Sequence, residues 1–239
     1  MLRPHDVVAL LVVVLVALLL AGCGGSSSDA ETQDGPRPVT DAEAQVLATA
    51  RFRNFDAGTR SFTTTLAING QQVTLDGWVD FPDHLGYALA TGDGFPSQLL
   101  RWDGTTLANA EAPADATTAP LPEPTDGWQS RGMDASASVL DSTLTVLLDL
   151  SDDRPENPLL LRQTGAYWIG TESLNGTDLT VYAAPPGDST TEQVSAEDAN
   201  LRLWLDETGL MHRVQLRLDG DWTDIDLATA EGVTLEPLS

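Results

Sequence analysis

The sequence predicts an α+β fold: a curved antiparallel β-sheet, a half-barrel of about ten strands, with two main helices covering its concave apolar face. Three observations lead to this prediction. Apolar and polar residues alternate with a period of two over most of the chain after residue 58. Asn-Gly or Asp-Gly pairs, which favour tight hairpin turns, lie between such segments at residues 69–70, 103–104, 175–176 and 219–220. Sustained helical periodicity follows only Thr40 and Ser138.

The N-terminus is typical of an exported bacterial lipoprotein. The apolar run Val7–Leu20 is shorter than the about 20 residues that a membrane-spanning helix needs, and it leads into Ala21-Gly22-Cys23, the end of a lipobox. We expect residues 1–22 to be a signal peptide cleaved before Cys23, whose thiol then carries diacylglycerol. This anchor would hold the protein on the extracytoplasmic face of the cell membrane. Plain secretion and a retained membrane anchor are the alternatives.

The rest of the chain divides into a tether and one domain. Residues 23–39 are rich in Gly, Ser, Asp and Pro, with few apolar side chains, so we expect a flexible tether. Residues 40–239 are enough for a single domain with a substantial core. A monomer is predicted.

The charge of the chain excludes some partners. It has 36 Asp and Glu against 12 cations, all of them arginine, and a formal charge of −24. Nucleic acid and anionic lipid headgroups repel such a surface, so no nucleic-acid partner is predicted, and membrane attachment must come from the lipid on Cys23. The lack of lysine, with abundant Ala, Asp, Gly and Thr, is typical of a high-GC bacterium. Salt adaptation is the alternative explanation of the charge.

Both main helices have recognisable starts. Thr40 and Glu43 form a capping box, and the first helix ends between Asn54 and Gly58. The second helix runs from about Val139 to Leu150, with leucines along one side and Asp141, Thr145 and Asp149 along the other. A short helical turn is predicted from Pro158 to Gln163. The Pro- and Ala-rich residues 111–127 are predicted to be a long exposed loop.

The predicted sheet is too wide for its helices. Ten strands about 4.8 Å apart make a sheet nearly 50 Å wide, whereas two helices about 10 Å across cover less than half of it. The remaining apolar face is buried either by curling into a packed core or around a ligand cavity. This face includes Val181 and Val214. If it encloses a cavity, a hydrophobic ligand would contact Leu66, Val73, Leu75, Leu89, Leu140, Leu144, Leu147, Leu203 and Leu216.

No catalytic site is predicted. The chain has no G-x-S-x-G, Walker or H-E-x-x-H motif. His84 and His212 are isolated, and a lipidated Cys23 is no nucleophile. The acidic residues 149–156 lack a calcium-loop pattern and are predicted to be a solvated helix end, with calcium binding as the alternative. We therefore predict neither an enzyme, nor a metal site, nor a cofactor.

The layout resembles a known family. The segment Leu203–Gly209 (LWLDETG) is similar to a strand and turn of the LppX/LprG-type lipoproteins of actinobacteria, and Trp102-Asp103-Gly104 and Gly176–Tyr182 also look similar. The resemblance implies a LolA/LolB-like half-barrel that binds an acylated lipid or glycolipid and carries it within the cell envelope. A sensor that binds an envelope protein, as RseB-like domains do, is the alternative.

Overall fold

A single twelve-stranded sheet forms the frame of the protein. The computed structural model describes residues 35–184, 195–218 and 220–238; the predicted signal peptide, Cys23 and most of the predicted tether lie outside them. All strand pairs are antiparallel, in the order β1-β8-β9-β10-β11-β12-β2-β3-β4-β5-β6-β7, and the curved sheet does not close. The strands are β1 Arg37–Pro38, β2 Thr59–Ile68, β3 Gln71–Asp80, β4 Leu85–Gly92, β5 Phe95–Trp102, β6 Thr106–Glu111, β7 Gln129–Gly132, β8 Tyr167–Leu174, β9 Thr177–Ala183, β10 Leu201–Leu205, β11 Met211–Leu218 and β12 Asp221–Thr229. The predicted α+β half-barrel is confirmed.

The sheet consists of two meanders, β2–β7 and β8–β12, joined where β12 pairs with β2. The described part of the chain has three helices: α1 Asp41–Ala57, α2 Val139–Asp149 and α3 Pro158–Gln163. Helices α2 and α3 lie in the connection between the meanders. The two strands beyond the expected ten include β1, so the sheet begins inside the segment predicted as tether. Arg37 holds that strand, with its guanidinium 4.5 Å from the Trp168 ring centre.

Hairpin turns form at both Asn-Gly pairs that the sequence predicted as turns. Asn69 and Gly70 have φ of 52° and 79°, and Asn175 and Gly176 have 52° and 82°. A type I′ turn requires positive φ at both central positions, and Asn-Gly supplies it at low cost. Asp103 instead accepts hydrogen bonds from the backbone N–H of Thr105 and Thr106. Asp219 lies outside the described residues.

Each long helix is tied at its third residue to an edge strand. The capping box of α1 forms as predicted, since Glu43 and Thr40 exchange backbone and side-chain hydrogen bonds. Glu43 also accepts two hydrogen bonds, of 2.8 and 2.7 Å, from Arg37 of β1. In α2, Asp141 accepts two hydrogen bonds of 2.6 Å from the guanidinium of Arg131 in β7. We call these pairs the edge clamps.

The second clamp corrects a prediction. Asp141 was expected on the exposed polar side of α2, but only 1% of it is exposed. Arg131 and the backbone N–H of Asp134 satisfy its carboxylate, and this pairing holds the pKa of Asp141 below its usual range.

The convex face carries a second apolar cluster, which overturns the predicted position of Leu89. Leu89 is 2% exposed and belongs to a cluster with Leu85, Tyr87 and Leu99 on the side away from the helices. Strand β4 is buried on both sides, so its pattern of apolar residues does not reveal which side faces the helices. Val181 is likewise on the convex side, in a small cluster with Leu179 and Trp204.

The Pro- and Ala-rich loop covers the convex cluster instead of standing free. Ala112 and Ala119 are buried against it, together with Leu235 near the C-terminus. Trp78 stacks on Tyr87, and the indole N–H of Trp128 donates to the carbonyl of Pro124 at 2.7 Å. The segment is a loop as predicted and most of its residues are exposed, but Ala112 and Ala119 are buried.

Candidate functional site

One half of the concave face is a packed core. Helix α2 lies against β2 and β4, and its Leu144 and Leu147 are fully buried in one cluster with Leu66 and Leu75. Phe62 meets Trp102 edge to face at 5.9 Å between ring centres. Close packing of this kind leaves no room for a ligand, so on this side the sheet is closed by its own side chains. We call this region the packed half.

The other half contains a cavity. Helix α1 packs on α3 and β11, and between these helices and the end of the sheet lies a space of about 660 Å³. Its wall is mainly apolar and comes from α1, α3, the residues after α2, and strands β10 and β11. The lining residues are Leu47, Ala50, Arg51, Asp149, Leu150, Glu156, Asn157, Leu160, Leu161, Thr164, Ala184, Leu201, Leu203 and Met211. We call this region the cavity half.

A buried polar pair lies between the two halves. Asn54 of α1 and Arg60 of β2 are 0% and 2% exposed. Asn54 donates to the carbonyl of Leu150 at 2.9 Å, and Arg60 donates to the side-chain oxygen of Asn54 at 3.0 Å and to the carbonyl of Met211. Leu150 and Met211 line the cavity, so this pair fixes two of its wall residues. Burial lowers the pKa of Arg60 to about 10, which still leaves it charged at neutral pH.

The polar groups of the cavity lie with Arg51 of α1. Its guanidinium donates to the carbonyls of Asp149 and Ser151 at 2.8 and 2.9 Å and is 3.5 and 3.6 Å from the carboxylates of Asp152 and Glu156. The acidic segment predicted as a solvated helix end is therefore joined to α1. Among the lining residues, Arg51 is the one cation, and Asp149 and Glu156 are two anions. This group offers hydrogen bonds to a polar headgroup but no net positive charge.

Of the nine residues predicted to contact a ligand, Leu203 lines the cavity. Leu66, Val73, Leu75, Leu144, Leu147 and Leu216 are in the main core, Leu140 packs against it half-buried, and Leu89 is on the convex face. The sequence reasoning missed the walls from α1 and α3. The sequence of α3, Pro-Leu-Leu-Leu-Arg-Gln, could have indicated such a wall. Successive residues of a helix point in different directions, so its three leucines cannot all face the protein core.

In the described ranges, no group of three or more His, Cys, Asp or Glu side chains is arranged to hold a metal ion. No helix within those ranges is both long and apolar enough to cross a membrane. His212 contacts only Asp206 among ionisable partners, at 3.1 Å.

Fold and site together define the class: an open antiparallel half-barrel with an apolar cavity under its helices. No family model matches the chain, and no curated protein matches it significantly. The structure is similar to LprF from Mycobacterium bovis, with 14% identity, 85% of this chain and 98% of that one covered, and a TM-score of 0.46. It is similar to lipoprotein LppX from Mycobacterium tuberculosis, with 15% identity, coverage of 81% and 99%, and a TM-score of 0.44.

A third solved structure, MucB in complex with MucA(peri), has 15% identity, coverage of 83% of this chain and 59% of that one, and a TM-score of 0.36. The resemblance seen in the sequence is to the lipoprotein group that includes LppX.

Proposed function

We propose that this protein is a lipoprotein, anchored through Cys23 to the extracytoplasmic face of the cell membrane, that binds a hydrophobic ligand in the cavity half and carries it within the envelope. The ligand class is an acylated lipid or glycolipid. The observation that supports this proposal is the apolar cavity of about 660 Å³ beneath α1 and α3.

The size and lining of the cavity favour this ligand class. Sites for small molecules commonly enclose about 300–1,000 Å³ and are mostly apolar, with a few polar groups that orient the ligand. Here Leu47, Leu201 and Leu203 offer aliphatic surface, and each methylene buried there contributes about 0.8 kcal/mol. The polar residues of the lining are Arg51, Asp149, Glu156, Asn157 and Thr164. A lipid with several acyl chains requires a wider cavity, so we expect one chain to be buried in this conformation.

The test is native mass spectrometry of the mature chain with Cys23→Ser, purified from its own host's envelope without detergent. We expect a discrete added mass that disappears on denaturation and extracts into organic solvent. Leu203→Trp, which fills the cavity, should abolish that mass, and Leu121→Trp, on the distant loop, is the matched control that should keep it.

A bare polypeptide mass that is unchanged after incubation with host lipid extract would contradict ligand carriage. Recovery of one stoichiometric envelope protein with a lipid-free chain would support the sensor function instead.

A further inference from the structure

Two neighbouring leucines of α3 are exposed, and one of them belongs to the cavity wall. Among the described residues, the large hydrophobic side chains with high exposure are Leu159 at 57%, Leu160 at 54% and Leu121 at 45%. The third leucine of α3, Leu161, is buried and fixes the helix to the core. Leu160 lines the cavity, whereas Leu159 lies in a neighbouring surface depression. An exposed apolar pair beside an apolar cavity extends the apolar surface outward, and such continuous surface marks interaction sites.

The chain leading to the predicted anchor joins the domain beside this helix. The backbone N–H of Val39 donates to the carbonyl of Ala166 at 3.2 Å, three residues after α3 ends. Strand β1 pairs with Tyr167 and Trp168. Arg37 follows Cys23 by 14 residues. Fourteen residues span at most about 50 Å when fully extended. A lipid on Cys23 would therefore keep Arg37, and with it the end of the domain beside α3, within about 50 Å of the bilayer.

Two carboxylates near α3 are paired with arginines. Asp41, at the start of α1, forms a salt bridge with Arg162 of α3, and Glu43 is held in the first edge clamp. Leu159 lies beside Asp41 and Ala44 in a shallow surface depression. Although the whole chain carries −24 and the cavity wall beside Leu160 has two anions to one cation, the carboxylate beside Leu159 has an arginine partner. Repulsion from lipid headgroups is therefore reduced on the Leu159 side of α3.

We propose that Leu159 and Leu160 insert into the outer surface of the bilayer to which the protein is anchored, so that the cavity mouth opens onto lipid. The inference rests on the proposed anchor at Cys23. Apolar burial drives the docking, because the chain's charge opposes it. Leu160, which both lines the cavity and stands exposed, is then the point where a ligand chain passes between bilayer and cavity.

The experiment uses the lipidated mature protein in phosphatidylcholine vesicles, with a cysteine at position 159 carrying an environment-sensitive fluorophore. Because lipidation consumes the thiol of Cys23, the introduced cysteine is the single free thiol. We expect a blue-shifted emission that doxyl-labelled lipids quench. The same label in Leu121→Cys, an exposed leucine on the convex-face loop, should stay water-like and unquenched. Water-like emission at both positions, or equal quenching at both, would overturn the docking proposal.

A second measurement separates docking from ligand binding. Leu159→Ser should slow ligand transfer from the cavity to vesicles by about tenfold, with the ligand mass in solution unchanged. Leu121→Ser should leave both the transfer rate and the ligand mass unchanged. Two other results would contradict the proposed function and not the docking. A chain without ligand contradicts carriage, and two free thiols in the labelled protein contradict the anchor.

Discussion

The two halves of the concave face both place a helix over aliphatic side chains of the sheet, but one half is closely packed and the other contains a cavity. In the packed half, α2 presses leucines onto β2 and β4, and the side chains fill the space. In the cavity half, α1 lies against α3, and about 660 Å³ stays open beside β10. The difference comes from what α1 presents toward the sheet: its buried side chains are mainly alanines, with Leu47 and Asn54. Small side chains on a helix leave space that a sheet of medium-sized aliphatics does not fill.

The largest difference between the halves should appear on truncation of a leucine. Leu75→Ala in the packed half should lower the free energy of unfolding by about 2–5 kcal/mol, because it creates a new cavity in a close-packed core. Leu203→Ala should cost clearly less, since its side chain already borders open space. Urea unfolding followed by circular dichroism measures both. Equal losses would contradict the division of the concave face into two halves.

The next largest loss of stability should follow from breaking the buried pair of Asn54 and Arg60 between the halves. Asn54→Ala deprives Arg60 and the Leu150 carbonyl of partners inside the protein, and an unsatisfied buried group costs about 1–3 kcal/mol. Thr65→Ala, which removes an exposed hydrogen bond to Thr74, is the control and should cost little. The midpoint of urea unfolding is the measurement. If both variants unfold at the wild-type midpoint, the buried pair does not stabilise this junction.

An enlarged side chain gives a sharper contrast. Leu75→Trp should destabilise the packed half by about 1–3 kcal/mol, because overpacking strains its neighbours. Leu203→Trp should leave the melting temperature nearly unchanged and abolish ligand binding, because the ring enters open space. Thermal unfolding combined with native mass spectrometry checks both results. A large fall in the melting temperature of Leu203→Trp would mean that the cavity half is as tightly packed as its counterpart.

The charges at the cavity predict a preference among ligands. Asp149 and Glu156 outnumber Arg51 on the wall, so a neutral acylated ligand should bind about tenfold more tightly than a fatty acid anion of equal chain length. Fluorescence competition at neutral pH measures the ratio. Tighter binding of the anion would show that Arg51 controls recognition in spite of its acidic neighbours. Arg51→Gln should then remove that preference.

The smallest expected effect is the contribution of the edge clamps to the pH dependence of folding stability. Hydrogen bonds from Arg37 lower the pKa of Glu43 from 4.5 to about 2. A lowered carboxylate pKa stabilises the fold fully above pH 4.5, and this contribution is lost as the pH falls toward about 2. Glu43→Gln should flatten the dependence of stability on pH in that window. Asp141→Asn removes the other clamp and should cost more, because Asp141 is almost fully buried. Unfolding midpoints between pH 2 and 6 measure both, and an unchanged pH slope in Glu43→Gln would argue against the clamp.

Much of the fold was predictable because its causes are local. The turn at Asn69-Gly70, the capping box of Thr40 and the start of α3 at Pro158 depend on a few adjacent residues, and each forms as predicted. The general alternation of apolar residues likewise predicted an antiparallel sheet. The strands that this reasoning missed, β1 and β7, are short edge strands held by distant partners.

The candidate site was less predictable because its causes are tertiary. Leu89 lies in a strand that is buried on both sides, and the cluster it joins is covered by the distant residues Ala119 and Leu235. The cavity depends on α1 meeting α3, two segments about a hundred residues apart in the chain. Period-two alternation identifies a buried face but does not say whether a helix fills the space above it. Leu203 and Leu75 therefore occupy equivalent positions in the period-two alternation, although Leu75 lies in the packed half and Leu203 on the cavity wall.

The two edge strands that the clamps hold also limit how the open sheet can pair with other molecules. An open sheet ends in unpaired backbone groups that can recruit a strand from another molecule and start aggregation. Here β1 has two residues, one of them Pro38, which has no N–H to donate. Strand β7 has four residues and commits Arg131 to α2. Growth of an aggregate from either edge would have to begin on a strand of two or four residues, which offers few backbone groups to a partner. Each clamp fixes the position of such a short edge strand against a helix.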